Sequence, residues 1–435
     1  MPDVIEADLT WTATGFETGV QVEITADGSI GAVGRLHAAP TRRLAGRALL
    51  PGMVNAHSHA FQRGLRGRGE TFPQGSGTFW TWREAMYRLV GELDEDLFYR
   101  LCLGAFHEML ACGITTVGEF HYLHHSPGDR DFAYDRLILR AARDAGIRLV
   151  LLSAYYRTGG IGQPLGSAQR RFDAGSLAEY WDNLDRLEGD LDADTQSLGV
   201  VAHSIRAAAL EEIGQLHTEA TRRGLVFHLH VEEQRREIEE CVAAYGHPPM
   251  RLLADLLDGM GNVTAVHCTH TDPADVRRFL DAGGTVCICP TTEANLGDGI
   301  PGLITVTEAM RRGQLCLGSD SNARISPTEE MRWLEYGQRL AHERRGVLRN
   351  ERGVVAEPLF EAATTRGAAS LGIAAGVIRT GAKADFFTLD LDSPQLAGWT
   401  EDTLLAGFVT GTDAAAVGEV CVGGCWVDGG SGPVN

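Results

Sequence analysis

The hydrophobic and polar positions of this chain change their period near residue 49. Before that point short segments alternate as β-strands do, for example over 20–24, with a turn signal at Ala26-Asp27-Gly28. After it, short apolar runs alternate with segments of helical period that close on glycine. The pattern therefore predicts a small β region followed by repeated strand–helix units.

Eight strand–helix units follow one another along the chain. The predicted strands are a first one ending at 57–59, then 114–117, 147–152, 198–202, 225–230, 263–267, 285–289 and 315–320. The predicted helices between them are 94–112, 134–145, 176–188, 210–223, 250–258, one that opens at 272–273, and 304–312. Eight such units are typical of a (β/α)8 TIM-type barrel, so the predicted fold class is α/β.

Both ends of the chain are predicted to lie outside the barrel. Segments 385–389 and 417–427 are β-like again, and we expect them to pair with the N-terminal strands in a small β-sandwich. The predicted domains are then 1–50 and 376–435 for the two parts of the sandwich and 51–375 for the barrel. The stretch 63–81, rich in glycine and arginine, is predicted to be a long functional loop.

Composition narrows the classes of partner. Hydrophobic residues make up 44% of the chain and charged residues 22%, as in ordinary globular proteins. The net charge of −19 argues against nucleic acid or an anionic membrane as a partner. The 9 cysteines form no CxxC pair, the start of the chain lacks signal-peptide features, and no apolar run reaches transmembrane length. We therefore expect a cytoplasmic protein.

Polar residues recur where the predicted barrel strands end. Barrel enzymes build their active sites at this edge. A single histidine there is commonly a buried group with hydrogen-bond partners, but six histidines on four strands, together with an aspartate, predict a metal centre. The six histidines are His57, His59, His203, His228, His230 and His267, and the other polar residues are Glu119, His121 just beyond it, and Asp320.

Three imidazoles and one carboxylate form the predicted ligand set. The ligands are His57, His59, His230 and Asp320. With a water molecule completing the shell, such a site is hydrolytic, because the metal lowers the pKa of the water toward neutrality.

Two choices within this set rest on spacing. His228 is the alternative to His230, which we prefer because Glu233 follows it by three residues and could pass a proton to a leaving nitrogen. Glu232 is the alternative acid. His267 is preferred to His270 as the residue that stabilises developing charge, because it lies nearer the strand end.

These motifs resemble the amidohydrolase superfamily. The resemblance rests on the His57-x-His59 pair, on His230 with Glu233, on His267 and on 318–320, Gly-Ser-Asp. Binuclear members of that superfamily bridge two metals with a carboxylated lysine from a barrel strand. The only lysine of this chain is Lys383, outside the predicted barrel, so the resemblance implies a mononuclear site of the deaminase type.

More specific stretches resemble the formimidoylglutamate deiminase family of histidine degradation. They are 57–63, 79–84, 203–206, 290–299 and 333–340. This resemblance implies hydrolysis of N-formimino-L-glutamate to N-formyl-L-glutamate and ammonia. It also implies that the substrate-binding residues are Gln62, Arg83, Tyr122, His203 and Arg206. Arginine suits a dicarboxylate substrate because its guanidinium can bind a carboxylate through two parallel hydrogen bonds.

The implied chemistry uses three catalytic residues and one ion per chain. Asp320 would take a proton from the metal-activated water, His267 would support the tetrahedral intermediate, and Glu233 would protonate the departing ammonia. We expect Zn²⁺, although Fe²⁺ and Mn²⁺ accept the same ligands. A homodimer is expected from the general frequency of twofold oligomers.

Two other functions remain open at this level. Another deaminase of the superfamily would act on a purine or a similar amidine-bearing ring, and its site would hold the base through aromatic or amide contacts. A non-catalytic barrel would use the fold as an interaction module. Such proteins usually lose metal ligands, whereas this chain carries every ligand and acid of the pattern.

Overall fold

A computed structural model of the chain describes residues 3–72 and 75–427. Positions 73 and 74 of the predicted loop, and the outer limits of the predicted domains at residues 1 and 435, lie outside these ranges. The strands are β1 Asp3–Thr12, β2 Gly15–Glu17, β3 Gln21–Ile24, β4 Ile30–Gly34, β5 Arg42–Pro51, β6 Met53–Ser58, β7 Ile114–His121, β8 Arg148–Tyr155, β9 Gln196–Ser204, β10 Phe227–Val231, β11 Val263–His267, β12 Thr285–Ile288, β13 Leu315–Leu317, β14 Phe386–Asp390, β15 Val417–Val422 and β16 Cys425–Val427.

The helices lie mostly between the barrel strands. They are α1 Phe79–Glu92, α2 Glu95–Ala111, α3 Ala133–Ala145, α4 Leu177–Glu188, α5 Leu210–Arg222, α6 Arg235–Tyr245, α7 Pro249–Leu256, α8 Pro273–Asp281, α9 Pro290–Leu296, α10 Leu303–Arg312, α11 Pro327–His342, α12 Ala356–Ala362, α13 Thr365–Ser370 and α14 Leu404–Gly411. In the part of the chain that the structure describes, none of them is long and apolar enough to span a membrane.

Strands β6 to β13 form the barrel, each parallel to its neighbour in chain order. The ring closes between its first and last strands through a parallel bridge from Ser58 to Asp320. There the Asp320 N–H donates to the His57 carbonyl at 2.9 Å, and the His59 N–H donates to the Asp320 carbonyl at 2.8 Å. The predicted fold class is confirmed, and the barrel closes at residues of the predicted metal site.

The barrel strands are apolar on both faces because helices cover the outside and side chains fill the inside. Every residue of β7 and β8 is buried. Below the site the interior is filled by small side chains, with three thiols packed against Ala56 and Val266. The three are Cys287, Cys289 and Cys316.

The helix boundaries follow the local signals in the sequence. Helix α2 begins after Asp94, whose carboxylate accepts the Leu97 N–H at 2.8 Å. Helix α3 ends at Gly146, whose φ of 78° lies in the left-handed region that closes a helix. Helix α8 begins at Pro273 after the cap Asp272.

The chain ends form one mixed sheet, in the order β16-β15-β14-β5-β1-β3-β4, with β2 paired to β1. Its residues alternate between two cores. Leu49 and Phe386 pack in a small core on one face, and Leu50 and Phe387 pack against the barrel on the other. Strand β5 ends at Pro51 and the barrel begins at Met53. The exact domain limits stay a prediction.

Helix α1 lies within and beyond the segment that the sequence predicts to be a loop. The prediction places a loop over 63–81, but the helix already begins at Phe79. Its buried face is formed by Phe79, Ala85, Met86, Leu89 and Val90. Aromatic side chains in its first turns mask the amphipathic period, which explains why the pattern alone missed it.

Candidate active site

Four ionisable side chains converge at the carboxyl end of the barrel. The Nε2 atoms of His57 and His230 lie 3.2 Å apart. Asp320 Oδ1 lies 3.5 Å from His57 Nε2 and 3.2 Å from His59 Nε2. Strands β6 and β10 and the residues after β13 supply these groups, which all have a donor atom within 4.8 Å of the others. The structure thus brings the four predicted metal ligands together.

Hydrogen bonds at the far side of two imidazoles set their tautomers. His59 Nδ1 lies 2.8 Å from the Phe120 carbonyl, and His230 Nδ1 lies 2.9 Å from the His203 carbonyl. Since a carbonyl only accepts, each Nδ1 carries the proton and each Nε2 offers a lone pair to the centre. These two lone pairs point toward His57 Nε2 and the Asp320 carboxylate, each 3.2 Å away, so the four side chains fit a divalent metal ion.

Burial keeps the centre in its metal-binding protonation state. It lowers the pKa of His57 to about 3, despite the opposing effect of Asp320. Burial also lowers the pKa of His230 well below its usual range, and neighbouring histidines add to this. For Asp320, burial favours the acid, but the close contacts with the His57 and His59 imidazoles overcome this effect and hold the pKa well below the usual range. Neutral imidazoles and an ionised carboxylate are what a metal requires.

The backbone is strained where these groups leave their strands. Glu232, His267, Asp320 and Asn322 adopt φ values of 55°, 74°, 49° and 55°, in the left-handed region that disfavours residues with a side chain. Such conformations persist only where the surroundings enforce them, and they cluster at functional sites.

A buried amide–hydroxyl network enforces the turn that carries Asp320. Asn55 donates to Ser319 Oγ at 2.6 Å and accepts the Ser319 N–H at 2.9 Å. Ser319 Oγ in turn donates to Asn322 at 2.6 Å, and Asn322 donates to Ser58 Oγ at 3.0 Å. The network joins the first and last strands of the barrel directly beneath the ligands.

His267 lies among three carboxylates beside the ligand group. Its Nε2 is 3.9 Å from Glu233 Oε1 and 3.8 Å from Asp320 Oδ2, and its Nδ1 is 3.4 Å from Glu293 Oε1. Burial alone would lower the pKa of His267, but the charges of Glu233, Glu293 and Asp320 raise it to about 10. The imidazole therefore carries a positive charge in the absence of a metal.

Arg206 lies between two acids on the wall of the site. Its Nη2 is 3.5 Å from Glu233 Oε2, and its Nε is 3.8 Å from Glu237 Oε1. Glu237 is fully buried, and among the described residues neither of its carboxylate oxygens has a hydrogen-bond partner. Burial raises the pKa of Glu237 to about 7, although Arg206 acts in the opposite direction.

A cavity of about 630 Å³ opens above these groups. All five predicted substrate-binding residues line it, as do Glu233, His267, Asp320, His59 and His230, while His57 lies buried behind them. Gln62 Nε2 donates to Tyr122 Oη at 2.5 Å. The Arg83 guanidinium lies 4.8 Å from the ring centre of Trp80 and 5.5 Å from that of Tyr87. Helix α1 thus brings a stacked cation to the cavity wall.

The other strand-end residues that the sequence offered as ligands or acids make hydrogen bonds outside the ligand group. His228 lies two residues before His230 on β10, and its Nε2 donates to the Ser370 carbonyl at 2.8 Å. Glu232 accepts the Met250 N–H at 2.9 Å. Glu119 accepts the Ala60 N–H at 2.6 Å, so it holds the turn after β6 rather than a ligand position. His270 donates its own N–H to the Glu232 carbonyl at 3.2 Å.

A second buried group, formed by His121, His124 and Asp135, is an ion-pair cluster. His121 Nε2 and His124 Nδ1 lie 2.9 and 2.8 Å from Asp135 Oδ1. His124 Nε2 is also committed, because it donates to the Ala154 carbonyl at 2.8 Å. With both of its nitrogens donating, His124 has no lone pair for a metal, although the three side chains lie close enough to hold one.

The sequence patterns did not identify several residues that line or support the site. Tyr156 follows the end of β8, so the rule applied to the strand-end histidines would have found it. Glu237 comes one helical turn after Glu233, a spacing that signals a shared face. Tyr87 of α1 was not identifiable because the helix itself was not predicted. Glu293 lies in the 290–299 segment, and only the fold brings it to His267.

Comparison with known proteins agrees with this geometry. The chain is 39% identical over 420 residues to a formimidoylglutamate deiminase from Pseudomonas aeruginosa, covering 95% of this chain and 92% of that protein. It is 28% identical over 370 residues to a 5-methylthioadenosine/S-adenosylhomocysteine deaminase from Symbiobacterium thermophilum, covering 83% of this chain and 78% of that protein.

Solved structures extend the similarity to the whole fold. An amidohydrolase from Brucella melitensis superposes with a TM-score of 0.87 at 31% identity, over 98% of this chain and 94% of that one. The model of the Amidohydrolase family matches residues 48–427, which include every strand of the barrel and every residue of the candidate site. With the metal-binding geometry and these relatives in agreement, the chain belongs to the amidohydrolase family.

Proposed function

We propose that this protein hydrolyses N-formimino-L-glutamate to N-formyl-L-glutamate and ammonia. The observation that carries the proposal is the pairing of a metal-binding group with two arginines, Arg83 and Arg206, on the wall of one cavity. The 39% identity to a formimidoylglutamate deiminase over nearly the whole chain supports the same substrate.

His57, His59, His230 and Asp320 would hold one ion per chain, and we propose zinc, since imidazole and carboxylate ligands in this number suit it. When bound, the ion supplies Lewis acidity that makes water nucleophilic near neutral pH.

Asp320 and Glu233 are the proposed proton carriers. Asp320 accepts a proton from the attacking water as its oxygen bonds to the formimino carbon. The imidazolium of His267, 3.8 Å from Asp320 Oδ2, stabilises the negative charge that develops. Glu233 then delivers a proton to the terminal nitrogen and the C–N bond breaks. The hydroxyl group on the carbon returns a proton to Glu233 as it becomes the formyl oxygen, and the proton on Asp320 leaves with ammonia as ammonium.

The proposed substrate contacts follow from charge. A glutamate derivative carries two carboxylates, and Arg83 and Arg206 offer each of them a guanidinium. Arg206 is free to exchange partners, because its contacts with Glu233 and Glu237 are longer than hydrogen bonds. Gln62, Tyr122 and His203 line the cavity between the arginines and the ligand group and would fix the orientation of the substrate.

A purine or similar ring is the second candidate substrate. It is favoured by the aromatic side chains of the cavity wall, among them Phe79, Trp80, Tyr87 and Tyr156. The 28% identity to a 5-methylthioadenosine/S-adenosylhomocysteine deaminase also favours a substrate with a purine ring. A neutral base, however, offers no anionic group for Arg83 and Arg206 to bind, so the dicarboxylate is the better fit.

The test measures ammonia release by zinc-loaded protein from N-formimino-L-glutamate and, in parallel, from guanine and adenosine. We expect turnover of the first substrate alone. Arg206→Met should abolish saturation with substrate while zinc content stays at one per chain. Arg251→Met is the control, since Arg251 pairs with Asp275 at the surface, and it should behave as wild type. Turnover of a purine alone would overturn the dicarboxylate assignment.

We also propose a homodimer located in the cytoplasm, with domain limits near residues 50 and 375. Sedimentation at micromolar concentration tests the dimer, and a single species at the 47.0 kDa of one chain would contradict it.

A further inference from the structure

Glu293 occupies a buried position between helix α9 and the candidate site. It lies in the first turn of α9 and is 2% exposed. Its Oε1 accepts the Cys289 N–H at 3.2 Å and lies 3.4 Å from His267 Nδ1. Its Oε2 has no hydrogen-bond partner among the described residues. The same oxygen, Oε1, therefore caps the helix and approaches His267, and nothing in the helix requires the second of these contacts.

The two nitrogens of His267 face different groups. Nδ1 faces Glu293, whereas Nε2 faces the cavity between Glu233 Oε1 and Asp320 Oδ2. Glu293 Oε1 already accepts the Cys289 N–H, so it acts as an acceptor toward Nδ1 as well, and the proton of this contact lies on Nδ1. An imidazole held in this way can present only its Nε2 face to the reacting atoms.

The left-handed backbone of His267, with φ of 74°, makes such support necessary. His267 is the last residue of β11, where its pairing with Val231 ends the ladder, and its strained backbone conformation persists only with support from its surroundings. A carboxylate behind the ring supplies that support, as an acidic partner orients the histidine in other hydrolytic sites.

We propose that Glu293 is a positioning residue for the proposed hydrolysis, acting through His267. It accepts the Nδ1–H of His267 and so keeps Nε2–H aimed between Glu233 and Asp320, where negative charge develops. The inference rests on the proposed function and assigns to the 290–299 segment a role that neither the metal centre nor the arginines account for.

A structural role for Glu293 is the competing explanation, and the chain offers a matched control for it. Glu330 is also buried and binds the same end of helix α9, where its Oε2 accepts the Thr291 N–H at 2.9 Å. It also accepts the Thr291 hydroxyl proton. Glu293→Gln and Glu330→Gln thus each replace one buried carboxyl group at the start of α9 with an amide, but only the first changes the group that contacts His267.

The experiment is a double-mutant cycle on the zinc-loaded enzyme with N-formimino-L-glutamate. His267→Asn keeps a donor toward Glu293 and removes Nε2. We expect Glu293→Gln to lower kcat about 10- to 100-fold with KM and zinc content unchanged, a loss typical of outer partners of site residues. In the His267→Asn background the same change should cost nothing further. Glu330→Gln should lower the melting temperature and leave kcat near wild type.

A spectroscopic measurement on ¹⁵N-histidine-labelled protein complements the kinetics. The His267 ring signals are those absent from His267→Asn, and Glu293→Gln should shift the Nδ1 signal whereas Glu330→Gln should not. If Glu293→Gln does not fold, Glu293→Asp replaces it, because the shorter acid can still cap α9 but cannot reach the ring.

The possible outcomes distinguish a failure of the proposed role of Glu293 from a failure of the proposed function. Equal loss of kcat in both His267 backgrounds, or equal effects of the Glu293 and Glu330 variants on kcat, would overturn the role of Glu293. An unshifted Nδ1 signal in a folded Glu293 variant would also overturn it. A wild-type enzyme that does not release ammonia from N-formimino-L-glutamate would instead overturn the proposed function, and the Nδ1 signal would still decide whether Glu293 orients His267.

Discussion

The turn at Asp320 shows how much of the site depends on single buried residues. Asp320 and Asn322 both adopt left-handed backbone conformations, each of which costs a residue with a side chain on the order of 1 kcal/mol. Asn55 holds this turn through two hydrogen bonds to Ser319. The strain is therefore balanced by a residue that touches neither the ligands' donor atoms nor the cavity.

Removal of the Asn55 side-chain amide should lower the affinity of the site for metal. In Asn55→Ala, Ser319 loses its two hydrogen bonds to Asn55 at a buried position, so we expect about 1–3 kcal/mol lower stability and metal affinity lower by about 10- to 100-fold. Urea unfolding and competition with a chelator measure the two quantities. Asn295→Ala is the control, since Asn295 is exposed and bonds Glu70. Metal affinity equal in both variants would show that the network does not support Asp320.

The buried carboxyl group of Glu237 should make the stability of the folded protein depend on pH. Burial raises its pKa in the folded protein to about 7, above the 4.5 of an unburied glutamate. A raised pKa means that stability is greatest below pH 4.5 and is lost as pH rises through 7. Glu237→Gln cannot ionise, so its stability relative to wild type should rise from pH 5 to pH 8, by up to about 3 kcal/mol.

Urea unfolding at these two pH values, with zinc in excess, measures the difference. Glu240→Gln is the control, because Glu240 is partly exposed and pairs with Arg236 at 2.7 Å. If Glu237→Gln and wild type keep the same difference in stability at both values, Glu237 does not titrate as its burial requires.

At the scale of elements, helix α3 is fastened to strand β7 by a buried ion-pair cluster. Asp135 of α3 accepts from His121 at the end of β7 and from His124 just beyond it. It also accepts from Asn183 of α4 at 2.7 Å. Charge on His124 and hydrogen bonds from both histidines hold the pKa of Asp135 below its usual range, against the effect of burial. The cluster fixes the end of the strand that carries Phe120 and Tyr122 into the site.

Asp135→Asn should therefore be strongly destabilising. It leaves the His124 cation buried without a counter-charge, which costs about 3–5 kcal/mol. The loss should shrink only as pH falls below 3.8, the ordinary pKa of aspartate, because the lowered pKa of Asp135 keeps its contribution intact above that value. Asp144→Asn on the same helix is the control, since Asp144 is exposed and accepts from Tyr99 at 2.6 Å. Denaturant unfolding measures the stability of both variants. Equal stabilities of Asp135→Asn and Asp144→Asn would show that the cluster contributes no net free energy to folding.

At the scale of the whole molecule, the metal site lies at the seam of the barrel. Neighbouring strands such as β8 and β9 pair along their length, from Leu149–Gln196 to Tyr155–Ala202. The first and last strands meet through the single bridge of Ser58 and Asp320. Because the ligands come from both sides of this seam, a bound ion would tie it together.

Metal removal should consequently loosen the seam before the rest of the barrel. A chelator should lower the melting temperature, and zinc at 100 times its dissociation constant should restore about 2.7 kcal/mol. Hydrogen exchange should rise first in β6 and β13, while β8 and β9 serve as the internal control. An equal rise in hydrogen exchange in all barrel strands would show that the ion does not hold β6 and β13 together.

Much of this architecture could be predicted from the sequence because it depends on local pattern. Apolar runs that alternate with helical periods predicted the eight strands, and Asp94, Gly146 and Asp272 marked helix ends where the structure has them. Helix α1 escaped because its first turns are aromatic, and a run such as Phe79-Trp80-Thr81-Trp82 has no clear period. The residue types at strand ends likewise predicted the ligand group before its geometry was known.

The sequence by itself determined the barrel, the order of its strands and the set of metal-binding side chains, since each follows from residue type and spacing along one segment. Only the tertiary structure decided which nitrogen of each histidine faces the centre, because the Phe120 and His203 carbonyls that set the tautomers belong to neighbouring strands. It also decided the partners of Arg206 and His267. Glu237 and Glu293 lie 31 and 26 residues away from them in the chain, and only closure of the barrel brings these charges into contact.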